Sequence, residues 1–308
     1  MTAPTNAPTL VRRRRRRREV SLAYLLVLPS LLVFALFAFY PLVRTFQEGF
    51  YLVSPQGERI RFIGFEQYRN VLTSETFRNS MWVTAKFVLI TVPGGLILGV
   101  ALALLAHRQL KGIAIFRTVF SSTVATSVAV ASVMWLTLIG PQFGLLNYWL
   151  GREGAEAIDL LQDPNTALYA VALSTIWQNL GAVFIIMLAG LQAVPDDLLE
   201  AARIDGAGSW ARFRYITLPM LSPVLLFASV ILTLNAFQAF GQIDLLTPGG
   251  GPLKSTNVIV YDIYDKAFRG GSSDVGVASA TAGLLFLILL ALTLLQFRFL
   301  ERRVFYGN

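Results

Sequence analysis

Long apolar runs alternate with short polar segments along the whole chain, and the runs exceed what the helices of a soluble core require. About 20 apolar residues at 1.5 Å per residue cross a hydrocarbon layer of roughly 30 Å. Six stretches meet that length, near Val20–Val43, Ser80–Ala106, Ile113–Ile139, Ala167–Gln192, Leu218–Gly241 and Val275–Phe299. They predict an all-α polytopic membrane protein with six transmembrane helices. The third run carries SSTVATSVAVAS, whose small hydroxyl residues let helices approach closely and bond across the contact, so it belongs inside a bundle.

The segments between the runs are short and rich in turn residues, as at Ser54–Gly57, Gly140–Pro141 and Asp163–Pro164. None has the pattern of a soluble domain. The expected organisation is a basic segment, 1–19, followed by one membrane domain over 20–308 that includes the polar loop 193–219.

Lysine and arginine set the orientation. With the N-terminus inside, the cytoplasmic segments hold Arg12–Arg18, Arg108, Lys111, Arg117, Arg203, Arg212, Arg214, Arg298, Arg302 and Arg303. The outer segments hold a smaller set: Arg44, Arg59, Arg61, Arg69, Arg78, Arg152, Lys254, Lys266 and Arg269. The first outer loop weakens the contrast, and the arginine block decides it. Both termini are then cytoplasmic. The block directly precedes Glu19 and the first run, which favours an anchor on anionic lipid headgroups over nucleic-acid binding. The first run is also longer than the roughly 7–15 residues of a signal-peptide core, and no cleavage site closes it.

Composition narrows the chemistry. The 308 residues are 55% hydrophobic and 14% charged, with no Cys and one His. Disulfides and thiolate metal sites are excluded, and His107, at the end of an apolar run, reads as an interfacial side chain. PGGGPLKST, at Pro248–Thr256, fails the phosphate-loop pattern, because Pro248 and Leu253 occupy positions that require Gly.

Polar side chains within apolar runs are costly and face a bundle interior or a wet cavity. Asn235, Gln238 and Gln242 are spaced to share one helix face, and Trp177, Gln178 and Asn179 form a second cluster in the fourth run. Amides bond hydroxyl groups and aromatic rings stack on sugar faces, so these residues suit a path for a hydroxyl-rich solute. Bonding between neighbouring helices is the other reading. Lys86 lies near the start of the second run, where it either snorkels or meets a substrate phosphate.

One polar stretch differs from an ordinary connector: Glu200–Pro219, EAARIDGAGSWARFRYITLP. Pro195-Asp196-Asp197 opens a helix with carboxylates at its positive end, and Gly206 stops it. Ser209 is expected to cap a second short helix, and Pro219 to mark entry into the next run. Glu200-Ala201-Ala202, three residues, Gly206, nine residues, Ile216, one residue and Leu218-Pro219 resembles the EAA signature of bacterial ABC importer permeases. LLVLPSLLVFALFAFYPLVRTF, FIGFEQYRNVL and LLTPGGGPLKSTNVIVYDIYDKAF extend the resemblance to the carbohydrate-uptake permeases. Within that group the chain looks nearest the glycerol-3-phosphate/glycerophosphodiester permeases.

This resemblance implies the type I ABC importer permease fold in the bacterial cytoplasmic membrane. It implies a helix-in-groove contact with a cytoplasmic ATPase. Glu200, Ala201, Ala202 and Gly206 match the signature; Arg203 and Asp205 lie beside it and are positioned to pair across that contact. The partners it implies are a second, different permease chain, two ATPase copies and an extracytoplasmic solute-binding protein, with ATP and Mg held by the ATPase and no cofactor in this chain. An ion-coupled secondary transporter is the rival reading, but no Asp or Glu lies well inside a predicted span. An intramembrane enzyme lacks a credible set of catalytic acids, bases or metal ligands.

Overall fold

The computed structural model describes residues 23–54, 57–108, 111–141, 144–151, 157–269 and 274–300. Arg12–Arg18 with the rest of segment 1–19, Arg152, and Arg302 and Arg303 lie outside the described residues.

Helix α1 spans Ala23–Glu48. It outlasts the apolar run because Arg44 Nε pairs with Glu48 one turn on, at 2.8 Å. A two-stranded hairpin follows, β1 (Tyr51–Val53) and β2 (Arg59–Phe62), and then α2 (Glu66–Thr73). Helix α3, Glu75–His107, starts at Ser74, whose hydroxyl accepts from Phe77 N at 3.2 Å. At the other end of α3 the Arg117 guanidinium donates to Ala106 O at 2.7 Å, answering a carbonyl left open by the helix end.

The third apolar run is not one helix. It forms α4 (Ile113–Ala125) and α5 (Val128–Ile139), with a bend of 110° between them. Hydroxyl bonds to local carbonyls gather at the break. Thr118, Ser121, Ser122 and Thr123 each donate back to a carbonyl three or four residues earlier, and the Ser127 hydroxyl caps α5 by accepting from Val130 N. After α6 (Leu145–Trp149) comes α7, Ala167–Gln192, with the bounds read from its apolar run.

The fifth run is divided too. The polar stretch forms α8 (Asp196–Ile204) and α9 (Ser209–Met220), and α9 bends by 67° into α10 (Ser222–Phe237). Pro219 lies inside α9, and the break falls at Leu221. Ahead of Pro219 the helix widens to a π turn at Phe213–Thr217, as it does at Ala35–Phe39 ahead of Pro41. A proline ring removes one intrahelical bond and crowds the carbonyl four residues back, and a wider turn accommodates it. The described residues close with α11 (Gly241–Leu246), α12 (Ile259–Tyr264) and α13 (Val275–Leu300). Among the described residues four helices, α1, α3, α7 and α13, are long and apolar enough to cross a membrane, and the two bent pairs raise the number to as many as six.

The bundle is organised around α3. Gly94, Gly95 and Gly99 present backbone rather than side chain to α7 and α10: a Cβ on Gly94 would come within 2.7 Å of Ile176 Cδ1, one on Gly95 within 3.2 Å of Leu232 Cδ1, and one on Gly99 would collide with Val183. In lipid, tails are as apolar as leucine, so close packing of this kind supplies the association that water supplies in soluble proteins. Near the start of α3, Ser80 and Thr84 meet Asn257 and Ile259; near its end, Ala103 and Ala106 pack with Leu191 and Leu221. The stretch 193–219 therefore sits at the end of the bundle opposite the hairpin. The apolar window of α1 is not buried within the chain, whereas its last turns pack on α13 through Phe46 and Phe286.

Replacing Gly99 by Leu is expected to destabilise the bundle by about 1–3 kcal/mol, the usual range for overpacking. Ile97→Leu, on the exposed face of the same helix, should be nearly neutral. Reversible unfolding in mixed detergent micelles distinguishes the two.

Candidate functional site

The signature stretch folds as a short helix closed by a glycine turn. Pro195, with extended backbone, is the residue preceding α8, and Asp196 and Asp197 occupy its first turn. Gly206 takes φ +81°; its amide donates to Arg203 O at 3.1 Å and that of Ala207 to Ala202 O at 2.9 Å. These two bonds form a Schellman closure, which needs the left-handed conformation that Gly adopts without strain. Arg212 Nη1 locks the far side of the turn by donating to Ala207 O at 2.7 Å. Ser209 does not cap α9: the helix begins one residue earlier than its hydroxyl requires, with Gly208 as the cap and Gly208 O accepting from Arg212 N.

Glu200, Ala201, Arg203, Asp205 and Gly206 are exposed and Ala202 is half-buried. Ile204 and Trp210 are also open, at 86% and 74%. The stretch thus offers small residues, charges and bare apolar side chains on one protruding turn, a composition suited to receiving another protein.

The amide residues meet across helices. Asn235 Nδ2 donates to Asn179 Oδ1 at 3.3 Å, and Gln242 Nε2 to Gln178 Oε1 at 2.5 Å. Gln178 Nε2 in turn donates to Thr126 O at 3.4 Å, a carbonyl released by the break between α4 and α5. Gly181, one turn further along α7, lets that break approach so closely that a Cβ would touch Val124 N and Phe120 O. Gly241, at the start of α11, packs on Val128 in the same way. One glutamine on a continuous helix therefore joins two discontinuous ones.

Asn235, Gln238 and Gln242 do not share a helix face. Helix α10 ends at Phe237, Gln238 is its exposed C-cap, and Gln242 belongs to α11, where it is 4% exposed. Trp177 is half-buried beside Gln178. Lys86 is exposed, its ammonium 5.2 Å from the centre of the Trp82 ring.

Sequence reasoning missed a second polar network, in 241–269. Asn257 donates to Ser80 Oγ at 2.9 Å, and Thr84 Oγ1 accepts from Ile259 N at 2.9 Å, capping α12 from a neighbouring helix. Tyr261, fully buried, donates to Asp244 and accepts from Gly249 N, and Arg269 contacts both Tyr261 and Asp244. Burial pushes the Tyr261 phenol pKa upward, so it stays a donor. The only available sign was the density of Asp and Tyr in VIVYDIYDKAF. Pro248–Thr256 forms a tight loop with Gly249, Gly250 and Gly251 all at positive φ, closed by the Thr247–Thr256 hydroxyl contact at 2.8 Å. Among the described residues no three His, Cys, Asp or Glu side chains gather as a metal site.

Comparison with known proteins identifies the class. The profile of the family described as "Binding-protein-dependent transport system inner membrane component" matches residues 95–306. The chain belongs to this family. It is a permease of the ABC importer class, a multi-pass membrane subunit of a transporter and not an enzyme. Among curated relatives, the sn-glycerol-3-phosphate transport system permease protein UgpA of Agrobacterium fabrum is 37% identical over 287 residues, 93% of this chain and 97% of that one. The protein of the same name from Pectobacterium atrosepticum is 34% identical over 290 residues, 94% of this chain and 97% of that one. The fold matches a bacterial ABC transporter involved in import of the acidic polysaccharide alginate, with a TM-score of 0.80 over 94% of this chain and 99% of that one at 23% identity. The MetNI methionine ABC transporter gives a TM-score of 0.54 over 76% of this chain and 100% of that one, at 14% identity.

Gln178→Leu leaves Thr126 O and Gln242 Nε2 without their partner and is expected to cost about 1–3 kcal/mol. Adding Gln242→Leu removes one orphaned group and should return part of that loss. Thermal unfolding of the two variants beside the wild type measures both steps.

Proposed function

We propose that this chain forms half of the membrane pathway of an ATP-driven importer in the bacterial cytoplasmic membrane, taking up glycerol-3-phosphate or a glycerophosphodiester. The observation that carries the reading is the likeness to the UgpA permeases along almost the entire chain, together with the exposed signature turn. Six spans with both termini cytoplasmic fit the charge distribution, with α4–α5 and α9–α10 each counted as one bent span. The partners are a second permease chain, two ATPase copies that bind ATP and Mg, and a solute-binding protein on the outer side. A solved relative of the fold, the alginate transporter, was captured with a sugar-loaded periplasmic protein. The basic block Arg12–Arg18 rests on anionic lipid, and 20–308 forms one membrane domain with 193–219 as its coupling loop.

In this reading Glu200, Ala201, Ala202, Arg203, Asp205 and Gly206 dock on the ATPase. Closure of the ATPase pair displaces α8, the stiff turn carries the displacement to α9, and the bend at Leu221 passes it to α10. Asn235 on α10 and Asn179 on α7 then change their distance, which alters the path they line with Trp177, Gln178, Gln238 and Gln242. Amide pairs suit this role, because each can exchange a partner amide for a solute hydroxyl.

Gly206→Val places a β-branched residue at φ +81° and is expected to lower uptake and transport-coupled ATP hydrolysis at least about tenfold. Glu200→Lys should give the same phenotype while the subunits still co-purify. Normal coupled hydrolysis in both variants would sink the coupling role. Uptake of labelled glycerol-3-phosphate should persist when a protonophore collapses the proton gradient and cease when ATP is depleted; the opposite pattern favours an ion-coupled carrier.

A further inference from the structure

The positive-inside preference disfavours arginine just beyond the outer end of a span, yet Arg44 and Arg59 flank the hairpin end of α1. They line an open cleft of about 470 Å³ together with Tyr40, Val43 and Gln47. That volume is in the range of small-molecule sites, roughly 300–1,000 Å³. Both guanidinium groups are held in place. Arg44 is paired with Glu48 at 2.8 Å, and Arg59 sits over the Tyr51 ring at 4.8 Å while donating to Gln47 Oε1 at 3.4 Å. The Glu48 carboxylate offsets the Arg44 charge, whereas among the described residues Arg59 has no carboxylate partner. An unbalanced arginine thus faces a cleft that also holds a second arginine, a phenol and an amide whose NH2 group remains a donor.

We propose that this cleft binds a phosphate group, with Arg59 as the principal ligand and Arg44 as the second. A phosphate mono- or diester matches the planar guanidinium fork in charge and geometry. Gln47 and Tyr40, which line the same cleft, supply an amide and a hydroxyl to the polyol part of a glycerol phosphate. The same chemistry is offered by a transported solute entering from the outer side and by a phospholipid headgroup at the interface. The site rests on the orientation and solute class proposed above, and it adds to them a recognition point outside the amide path.

The test uses the purified intact transporter in a phosphate-free glycoside detergent, without the solute-binding protein. Equilibrium dialysis against radiolabelled inorganic phosphate and glycerol-3-phosphate reads the solute source. Phosphorus analysis of retained phosphatidylglycerol reads the lipid source. Arg59→Gln is expected to weaken binding of at least one probe about tenfold, or ~1.4 kcal/mol, with Arg59→Lys intermediate and Arg44→Gln weaker than wild type. Loss of dialysed phosphate assigns the cleft to solute, and loss of retained phospholipid alone assigns it to the headgroup. Equal binding of every probe by wild type, Arg59→Gln and Arg44→Gln overturns the site. Orientation is separated by Glu58→Cys in this cysteine-free chain. Labelling of that thiol in intact cells by an impermeant maleimide supports an outer hairpin, whereas labelling only after permeabilisation overturns the orientation and leaves the binding result standing.

Discussion

A bilayer offers no water to a broken helix, so each amide and carbonyl released at a break must find a partner inside the protein. That demand governs the bundle. Thr126 O, freed between α4 and α5, accepts from Gln178. Ile259 N, at the start of α12, is received by Thr84 Oγ1. Ser127 caps α5 from its own chain position. The irregular segments are therefore tolerated only because continuous helices, α3 and α7, extend polar side chains to them. Gly181 on α7 follows from the same requirement, since it lets the break between α4 and α5 come within reach of Gln178.

Much of this was legible in the chain. The bounds of α7 coincide with its apolar run, and Gly206 stops α8 where a helix terminator was expected. Hydropathy alone did not reveal the breaks. The third run is apolar enough throughout; its small hydroxyl residues read as contacts between helices, whereas at the break they bond local carbonyls and cap α5. The fifth run misled in a related way, because a periodicity of three and seven residues presumes one uninterrupted helix, and α10 ends between Asn235 and Gln242. The decisive partners are remote in sequence: Gln178 lies 52 residues from Thr126, and Ile259 lies 175 from Thr84. No local pattern encodes such pairs.

The path and contact readings of the amides need not compete. Asn179 with Asn235 and Gln178 with Gln242 do join helices, and they do so at the places where two helices are discontinuous. In the proposed path, an amide that bridges two discontinuous segments would release one partner for a solute hydroxyl. The network at 241–269 differs in kind. It is built from ions, a buried phenol and a closed glycine loop, and it holds α11 and α12 together at the end of the bundle remote from the signature turn.

The Schellman closure at Gly206 has a mechanical consequence. A linkage with slack wastes the first part of every stroke, and a frayed helix end would supply such slack. Here two backbone bonds and the Arg212 clamp remove the backlash between α8 and α9. In the proposed coupling, a displacement of α8 would pass along α9 to Leu221, a fully buried residue where the chain changes direction by 67°. For that coupling, the closed turn at Gly206 serves as the handle and the buried bend at Leu221 as the joint inside the bundle.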